Sequence, residues 1–347
     1  MEQTEEQTNV TLKYQHRNLI NSKYVFEKKI GKGSFGCIYQ GLNIITQEKV
    51  AIKYEAISCT QPTLLWESKI LNHLSGIPGI VKMRYFGIEA NKNIIVMDLF
   101  SHTLAEEAAK LKKELKISIK NGNENGNENS LYCEIDSSNS GNDTSDESSA
   151  SETDNEYYKY YINSILRYMI TIVEIIEKIH EKNVIHRDIK PENFMISHSQ
   201  THTQDDEPTK KLHIIDFGLS RIYMKDGAHI PNKPNSSIVG TMRYISTHIH
   251  EGNVYTRRDD IISILYVIIY LLKGRLPWCG LKAKPGDKRT KAEIIYDVKK
   301  TTPISQLCSG LPNIFERMLT YAYKMEFDEK PDYIYLKRLC KKELGGV

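Results

Sequence analysis

The chain has 347 residues, of which 40% are hydrophobic and 26% are charged, and its formal net charge is +3. This length and composition allow a substantial buried core and indicate one folded unit instead of two independent domains. The six cysteines form no Cys-x-x-Cys pair, which favours reduced thiols inside a cell. The acidic amino terminus is unlike a secretory signal, and the longest apolar run, residues 261–272, is too short to span a bilayer.

A glycine-rich motif follows a polar extension of residues 1–23. Gly31, Gly33 and Gly36 form a G-x-G-x-x-G pattern, which also occurs in dinucleotide-binding folds. A dinucleotide fingerprint runs from a strand into a helix, whereas here residues 37–41 and 50–53 both have the character of strands. The pattern therefore predicts a strand-turn-strand flap whose glycine amides approach phosphate groups, with a ligand-free hairpin as the alternative.

A lysine and a glutamate follow the flap. Lys53 ends a Val-Ala-Ile-Lys strand, a form typical of the lysine that contacts nucleotide phosphates. Residues 62–74 begin with proline and repeat leucine and isoleucine at helical spacing, so they predict a helix that contains Glu67. We expect Lys53 and Glu67 to form an ion pair, and an exposed helix glutamate is the alternative.

The middle of the chain changes composition. A strand is predicted at residues 93–97 and a hinge at residues 98–101. Residues 121–156 contain ten Asp or Glu and no Lys or Arg, among many Asn, Ser and Gly. The segment has too few apolar groups to offset the entropy cost of ordering the chain. Its composition therefore predicts a disordered acidic insertion. Removing its ten negative charges from the net +3 leaves +13 on the rest, which indicates a basic folded body.

The most informative motif follows a long helix predicted over residues 162–179. It is the run His-Arg-Asp-Ile-Lys-Pro-Glu-Asn at residues 186–193. Transfer of a phosphoryl group from ATP needs a carboxylate that accepts a hydroxyl proton, a lysine near the moving group and an amide oxygen for Mg²⁺. Asp188, Lys190 and Asn193 supply these groups in that order. An isolated loop aspartate would more often make only a local turn.

A second carboxylate comes after a predicted buried strand at residues 212–215. Asp216 begins the triplet Asp-Phe-Gly and is the expected second Mg²⁺ ligand, and Gly218 is expected to let the backbone turn. The continuous apolar run at residues 261–272 predicts a buried core helix. Apolar periodicity predicts further helices at residues 292–298, 314–323 and 333–340.

Four more segments make a resemblance to a known family specific. They are Gly-Thr-Met-Arg-Tyr-Ile-Ser at 240–246, Thr-Arg-Arg-Asp-Asp at 256–260, Leu-Pro-Trp-Cys-Gly-Leu-Lys at 276–282 and Glu-Phe-Asp-Glu-Lys-Pro-Asp-Tyr at 326–333. The chain resembles eukaryotic protein kinases, and within them the serine/threonine-specific casein kinase 1 family, from about residue 24 to residue 342. General kinases carry Ala-Pro-Glu after the activation segment, where this chain has Ser246-Thr247-His248.

The resemblance implies an α+β, two-lobed protein kinase fold. Residues 24–97 are the implied N-lobe, which is small, mainly antiparallel β and contains one key helix. Residues 102–344 are the implied C-lobe, which is larger, mainly helical and interrupted by the insertion.

The resemblance also implies ATP and Mg²⁺ as cofactors. The residues implied to contact the nucleotide are Ile30, Gly31, Lys32, Gly33, Ser34, Phe35, Gly36, Cys37, Ile38, Ala51, Lys53, Met97, Asp98, Phe100, Met195 and Ile215. Among them, Met97 is the implied gatekeeper, and the carbonyl of Asp98 and the amide of Phe100 are implied to bind the adenine.

The implied substrates are proteins with an acidic or phosphorylated residue upstream of the target. In the family resembled, an anion three residues before the target binds a site that maps to Arg243, Lys291 and the amide of Gly280. No nucleic-acid or membrane partner is expected, and the chain is expected to be a monomer in the cytoplasm, the nucleus or both. The short ending after Leu344 favours constitutive activity.

Two alternatives stay open at this point. A nucleotide-binding pseudokinase or scaffold would need damage in at least one catalytic position, and the six positions carry the expected residue types. A lipid or small-molecule kinase could use the same loop. The segments shared with casein kinase 1 argue against that reading.

Overall fold

The computed structural model describes residues 19–32, 36–122, 152–198, 210–233, 237–283 and 286–345. Its strands are β1 (Tyr24–Lys32), β2 (Cys37–Asn43), β3 (Lys49–Ala56), β4 (Met83–Glu89), β5 (Lys92–Asp98), β6 (His102–Thr103), β7 (Val184–Ile185), β8 (Phe194–His198), β9 (Lys210–Ile214), β10 (Arg221–Ile222), β11 (Met224–Lys225) and β12 (Ala228–His229). Its α-helices are α1 (Leu64–His73), α2 (Leu104–Gly122), α3 (Glu152–Glu181), α4 (Thr247–His250), α5 (Arg257–Lys273), α6 (Lys291–Thr301), α7 (Ile304–Leu307), α8 (Ile314–Lys324) and α9 (Tyr333–Glu343). Short 3₁₀ helices lie at Pro191–Asn193 and Phe217–Leu219.

The chain divides into two compact units. The first, named the β unit, comprises residues 1–101 and 197–220, and the second, named the helical unit, comprises residues 102–196 and 221–347. The sequence analysis places residues 197–220 in the larger lobe. They group with the β unit, where Ile214 forms a parallel bridge with Ile80. The amide of Ile214 donates to Gly79 O at 2.8 Å, and its carbonyl accepts from the amide of Val81 at 3.2 Å.

The β unit is built on a five-stranded antiparallel sheet in the order β1-β2-β3-β5-β4. Side chains alternate between the faces of a strand, so β3 and β5 each send every second residue into the core. Val50, Ile52, Ile94 and Val96 pack there with Tyr24. The residues between them, Lys53 among them, are directed to the opposite face.

The helical unit is organised around α5, which is buried along most of its length. Gly274 ends this helix with a φ of 81°, a left-handed conformation that glycine adopts without a steric penalty. Helix α3 packs against α2, α5 and α9. The helices predicted at 162–179, 261–272, 292–298, 314–323 and 333–340 are confirmed, and each extends beyond its predicted bounds into mainly charged and polar residues.

Helix α2 was not predicted, although Leu104, Ala108 and Leu111 recur at helical spacing among its charged residues and are buried. Its start is stabilised by a reciprocal cap. Glu106 accepts hydrogen bonds from the amide and hydroxyl of Thr103, and Thr103 Oγ1 accepts one from the amide of Glu106. The sequence pattern S/T-x-x-E marks this helix start.

The helices reach into both edges of the predicted insertion: residues 121–122 end α2 and residues 152–156 begin α3. Residues 123–151 lie outside the described residues, as do residues 1–18 of the predicted extension, so those predictions stay predictions. Among the described helices, none combines the length and the hydropathy that crossing a bilayer requires.

Candidate active site

Lys53, Glu67 and Asp216 meet in the β unit. Lys53 Nζ lies 2.7 Å from Glu67 Oε2 and 2.8 Å from Asp216 Oδ1. The Glu67 side chain is only 1% exposed and that of Lys53 10%, so the pair is desolvated. Burial alone would lower the pKa of Lys53, but the negative charges of Glu67 and Asp216 raise it above its ordinary value. The predicted ion pair is therefore present, and Lys53 is a fixed cation.

Helix α1 is held to β3 by a residue that sequence reasoning missed. Glu55 lies two positions after Lys53 and is buried. Its carboxylate accepts hydrogen bonds from the amides of Thr63 and Leu64, both at 2.9 Å, and from the side-chain amide of Asn93 at 3.1 Å. Thr63 itself gives no side-chain cap, so Glu55 caps the helix that carries Glu67. The signal in the sequence that could have indicated this cap was an acidic residue two positions after the strand lysine.

The turn after β9 differs from the expectation for Gly218. The left-handed residue is Asp216, with a φ of 64°, a conformation that costs a residue with a Cβ some strain. Gly218 has little room for a side chain instead, because a Cβ there would lie 3.2 Å from Thr63 Cβ at the start of α1. Trp66 Nε1 donates to Ser220 O at 2.8 Å and ties α1 to the same turn.

The glycine-rich motif lies at the turn from β1 to β2. Gly33, Ser34 and Phe35 lie outside the described residues, and the side chain of Lys32 is also not described. A Cβ at Gly36 would lie 2.1 Å from Tyr54 O, so the backbone of β2 can pass there only with glycine. Gly31 has no such restriction, since its nearest neighbour would be 3.7 Å away.

The other residues implied to contact the nucleotide are distributed over both units. Cys37 and Ile38 begin β2 and are half-buried, Ile30 is exposed on β1, and Ala51 pairs with Met97 across β3 and β5. Phe100 stacks on His213, with 4.5 Å between ring centroids, and Asp98 binds Arg84 through its carboxylate at 2.7 Å. These residues and Ile215 belong to the β unit, whereas Met195 lies on β8 in the helical unit. Contact with a nucleotide stays a prediction for all of them.

Asp188, Lys190 and Asn193 meet in the helical unit. Asp188 Oδ2 accepts hydrogen bonds from Lys190 Nζ at 2.5 Å and from Asn193 Nδ2 at 3.3 Å. Its other oxygen, Oδ1, accepts one from the hydroxyl of Thr241 at 2.7 Å. Sequence reasoning missed Thr241, although it lies inside a segment that carries the resemblance. Together these donors fix a carboxylate that is 5% exposed.

The backbone of this loop is held by Asp260, which was also missed. Its carboxylate is fully buried and accepts the amides of His186 at 2.7 Å and Arg187 at 3.0 Å. His180 lies 3.1 Å from the same carboxylate through Nε2 and 2.7 Å from the Tyr333 hydroxyl through Nδ1. Burial lowers the pKa of His180. Arg187 has a φ of 69°, so the two amide bonds help to hold a left-handed residue directly before Asp188.

Asn193 and Asp216 carry the oxygen ligands that suit Mg²⁺. Asn193 Nδ2 donates to the carbonyl of Asp188 at 2.8 Å, which leaves the amide oxygen for a metal. The Asp216 carboxylate is 39% exposed and uses Oδ1 for Lys53. Asn193 belongs to the helical unit and Asp216 to the β unit, and each carries a side-chain oxygen of the kind that binds Mg²⁺.

In the helical unit a hydrogen bond joins the segment of Arg243 to the loop of Gly280, and this bond does not involve Lys291. Trp278 Nε1 donates to the carbonyl of Arg243 at 2.8 Å, which joins the Gly280 loop to the Arg243 segment. Gly280 is exposed and has a φ of 74°. Lys291 is exposed at the first position of α6. The Arg243 guanidinium lies 5.2 Å from the ring centroid of Tyr270, where the aromatic face favours a cation.

The segment that replaces Ala-Pro-Glu is anchored differently. Ser246 caps α4 by accepting the amide of Ile249, and its hydroxyl donates to buried Asp259 at 2.5 Å. Ser246-Thr247-His248 is thus a capped helix start whose cap is joined to the first turn of α5.

Comparison with known families agrees with this geometry. A family model described as the protein kinase domain matches residues 24–325, most of the chain. The chain therefore belongs to the protein kinase family. The predicted α+β kinase fold, with an antiparallel sheet followed by a mainly helical region, is confirmed. The family implies phosphotransferase activity, protein substrates, ATP and a divalent metal.

Proposed function

We propose that this chain is an active serine/threonine protein kinase of the casein kinase 1 type. It transfers the γ-phosphate of ATP to serine or threonine in acidic or previously phosphorylated proteins. The observation that carries the proposal is the Asp188 carboxylate, which Lys190, Asn193 and Thr241 hold with three side-chain hydrogen bonds. A site that had lost its reaction would have no need for such preorganisation.

The reaction forms a bond between the substrate hydroxyl oxygen and the γ-phosphorus and breaks the bond to the β–γ bridging oxygen. Asp188 orients the hydroxyl and accepts its proton, and Lys190 stabilises negative charge on the transferred group. Lys53 holds the nucleotide phosphates, and Glu67 keeps Lys53 in place. Asn193 and Asp216 each carry an oxygen that would bind Mg²⁺, and the metal would neutralise phosphate charge.

The preference for acidic or phosphorylated substrates is supported by positive charge around the Arg243 segment. An arginine that is pre-oriented over an aromatic ring pairs well with a phosphate, which carries nearly two negative charges. Lys291 at the start of α6 and the amide of Gly280 supply further donors. The anion lies three residues before the target in this proposal.

A positional peptide library incubated with Mg-ATP tests the proposal most directly. We expect phosphate on serine and threonine, with enrichment of Asp, Glu or phosphoserine three residues upstream. Phosphate on tyrosine, or a flat upstream profile, would contradict the specificity. Nucleotide binding without transfer to any peptide would favour the pseudokinase alternative, and transfer to a lipid alone would favour a lipid kinase.

We further propose that the enzyme is monomeric, active without an added activator and located in the cytoplasm, the nucleus or both. The basic balance of the folded body supports binding of acidic proteins. Light scattering of the purified chain, its activity without partners and imaging of a tagged chain test these three points.

A further inference from the structure

Lys299 on helix α6 is a buried lysine with no role in the site described so far. It is 5% exposed, whereas the next residue, Lys300, is exposed. Lysine is almost never buried without a partner, because removing an ammonium group from water is costly. Burial lowers the pKa of Lys299 well below its ordinary value. Its contacts must therefore compensate for lost hydration.

The partners of Lys299 are main-chain carbonyls and aromatic rings. Its Nζ donates to Met242 O at 2.8 Å and to Ile245 O at 2.5 Å. It also lies 5.3 Å from the ring centroid of Tyr266 and 5.2 Å from that of Trp278. The faces of the two rings favour a cation at this distance. These contacts fix both the ammonium group and the two peptide groups that it binds.

The two carbonyls belong to one turn. The carbonyl between them, that of Arg243, accepts the hydrogen bond from Trp278 Nε1. Three carbonyls of a four-residue segment are thus held by Lys299 and Trp278. The amides of Tyr244 and Ile245 donate back to Thr241 O at 2.8 and 3.2 Å, which closes the turn on Thr241.

Two residues of this turn have roles in the proposed function. Thr241 donates its hydroxyl hydrogen to Asp188 Oδ1, and Arg243 carries the cation proposed to bind the upstream anion. A displacement of the turn would move the Thr241 hydroxyl and the Arg243 backbone together. A shift of about 1 Å in a group that positions a reactant can cost on the order of a hundredfold in rate.

We propose that Lys299 is a positioning residue that sets both the turnover and the upstream anion preference through the turn of residues 241–245. The inference rests on the proposed kinase function and deepens it. Lys299 contacts neither substrate nor nucleotide in this role; it acts through Thr241 and Arg243.

The test compares Lys299→Met with Lys300→Met. Methionine has nearly the length of lysine and can fill the buried space, so the first variant removes the ammonium group with little change in volume. Lys300 donates to the hydroxyl of Tyr296 on the exposed side of the same helix, and its replacement is the matched control. Two peptides serve as substrates, one with aspartate three residues before the target and one with alanine there.

For Lys299→Met we expect kcat to fall about tenfold for both peptides, because the Asp188 contact is disturbed in each case. We also expect KM for the aspartate peptide to rise at least about fivefold more than KM for the alanine peptide. For Lys300→Met, kcat and KM for each of the two peptides should stay within about twofold of the wild-type values. The proposal would be overturned if kcat of Lys299→Met fell only in proportion to the fraction of the variant that is unfolded, while KM changed equally for the two peptides.

Amide hydrogen exchange of residues 241–246 gives a second readout that needs no activity. Exchange should become faster in Lys299→Met and stay unchanged in Lys300→Met; wild-type exchange in Lys299→Met would overturn the proposal. If the wild type phosphorylates neither peptide, the proposed function fails, while this exchange experiment still decides whether Lys299 holds the turn.

Discussion

Thr241 donates its hydroxyl hydrogen to the Oδ1 oxygen of Asp188 over 2.7 Å, which makes the first residue of the turn of residues 241–245 a partner of the proposed catalytic base. A hydrogen bond to a charged acceptor contributes about 1.5–3 kcal/mol, and 1.4 kcal/mol corresponds to a factor of about ten in rate. We expect Thr241→Val to lower kcat at least about tenfold. Thr241→Ser, which keeps the hydroxyl, should retain most of the activity. Steady-state kinetics on one peptide checks both variants, and equal loss in both would show that the hydroxyl is not the important group.

Asp188→Asn should lower turnover by about 10²–10⁴-fold, because an amide cannot accept the hydroxyl proton. The amide can keep some of the hydrogen bonds of the carboxylate, so the fold should persist. Nucleotide affinity, measured by calorimetry, should change little, since the phosphate-binding lysine belongs to the β unit. Turnover equal to the wild type would refute the role of Asp188.

Lys53→Met should weaken ATP binding and also lower the free energy of unfolding by about 3 kcal/mol, because it leaves the buried Glu67 carboxyl, whose pKa burial raises, without the lysine. Adding Glu67→Gln removes the ionisable group, so the double variant should regain stability without regaining activity. Denaturant unfolding and nucleotide titration check the two effects separately. Lys49→Met, at the exposed start of the same strand, is the matched control and should change neither.

Glu55→Ala should lower the free energy of unfolding by about 1–3 kcal/mol, because the Thr63 and Leu64 amides and the Asn93 amide lose their buried acceptor. Helix α1 should loosen, so KM for ATP should rise through Glu67. Glu27→Ala, on the exposed part of β1, serves as the control. An unchanged unfolding curve for Glu55→Ala would show that the helix does not depend on this cap.

Acid should destabilise the helical unit through two histidines of α4. Burial lowers the pKa of His248 and of His250 from 6.5 to about 4. Below pH 6.5 the unfolded state binds more protons than the folded state, so this contribution lowers stability progressively as the pH falls from 6.5 towards 4. At pH 5 each histidine should lower the free energy of unfolding by about 1 kcal/mol, a value that already allows for the partial exposure of its ring.

A double variant, His248→Gln with His250→Gln, isolates this effect. Its unfolding temperature should depend less on pH between 6.5 and 4 than that of the wild type. The comparison is needed because burial raises the pKa of Asp259 to about 6, which acts in the opposite direction. Identical pH profiles for the two proteins would contradict the prediction.

The local part of the site could be predicted from the sequence. Asp188, Lys190 and Asn193 are separated by five residues at most, so a short loop alone brings them together, as their hydrogen bonds confirm. The pairing of Lys53 with Glu67 could be predicted because the two residues lie on a strand and on the next helix along the chain. The apolar period likewise predicted α3 and three later helices, because a buried helix face leaves a repeat of 3.6 residues in the sequence. Helix α5 was predicted from a continuous apolar run, because it is buried along most of its length.

Residue type, order and short-range spacing thus determined which chemistry this protein can perform. Only the tertiary structure decided which side chains support it. Thr241 lies 53 residues from Asp188, Asp260 lies 74 residues from His186, and Lys299 lies 54 residues from Ile245. Tertiary packing determines such pairs, because a buried polar group needs a hydrogen-bond partner and the partner can come from any part of the chain that packs against it. The same packing made Asp216, and not Gly218, the left-handed residue of its turn.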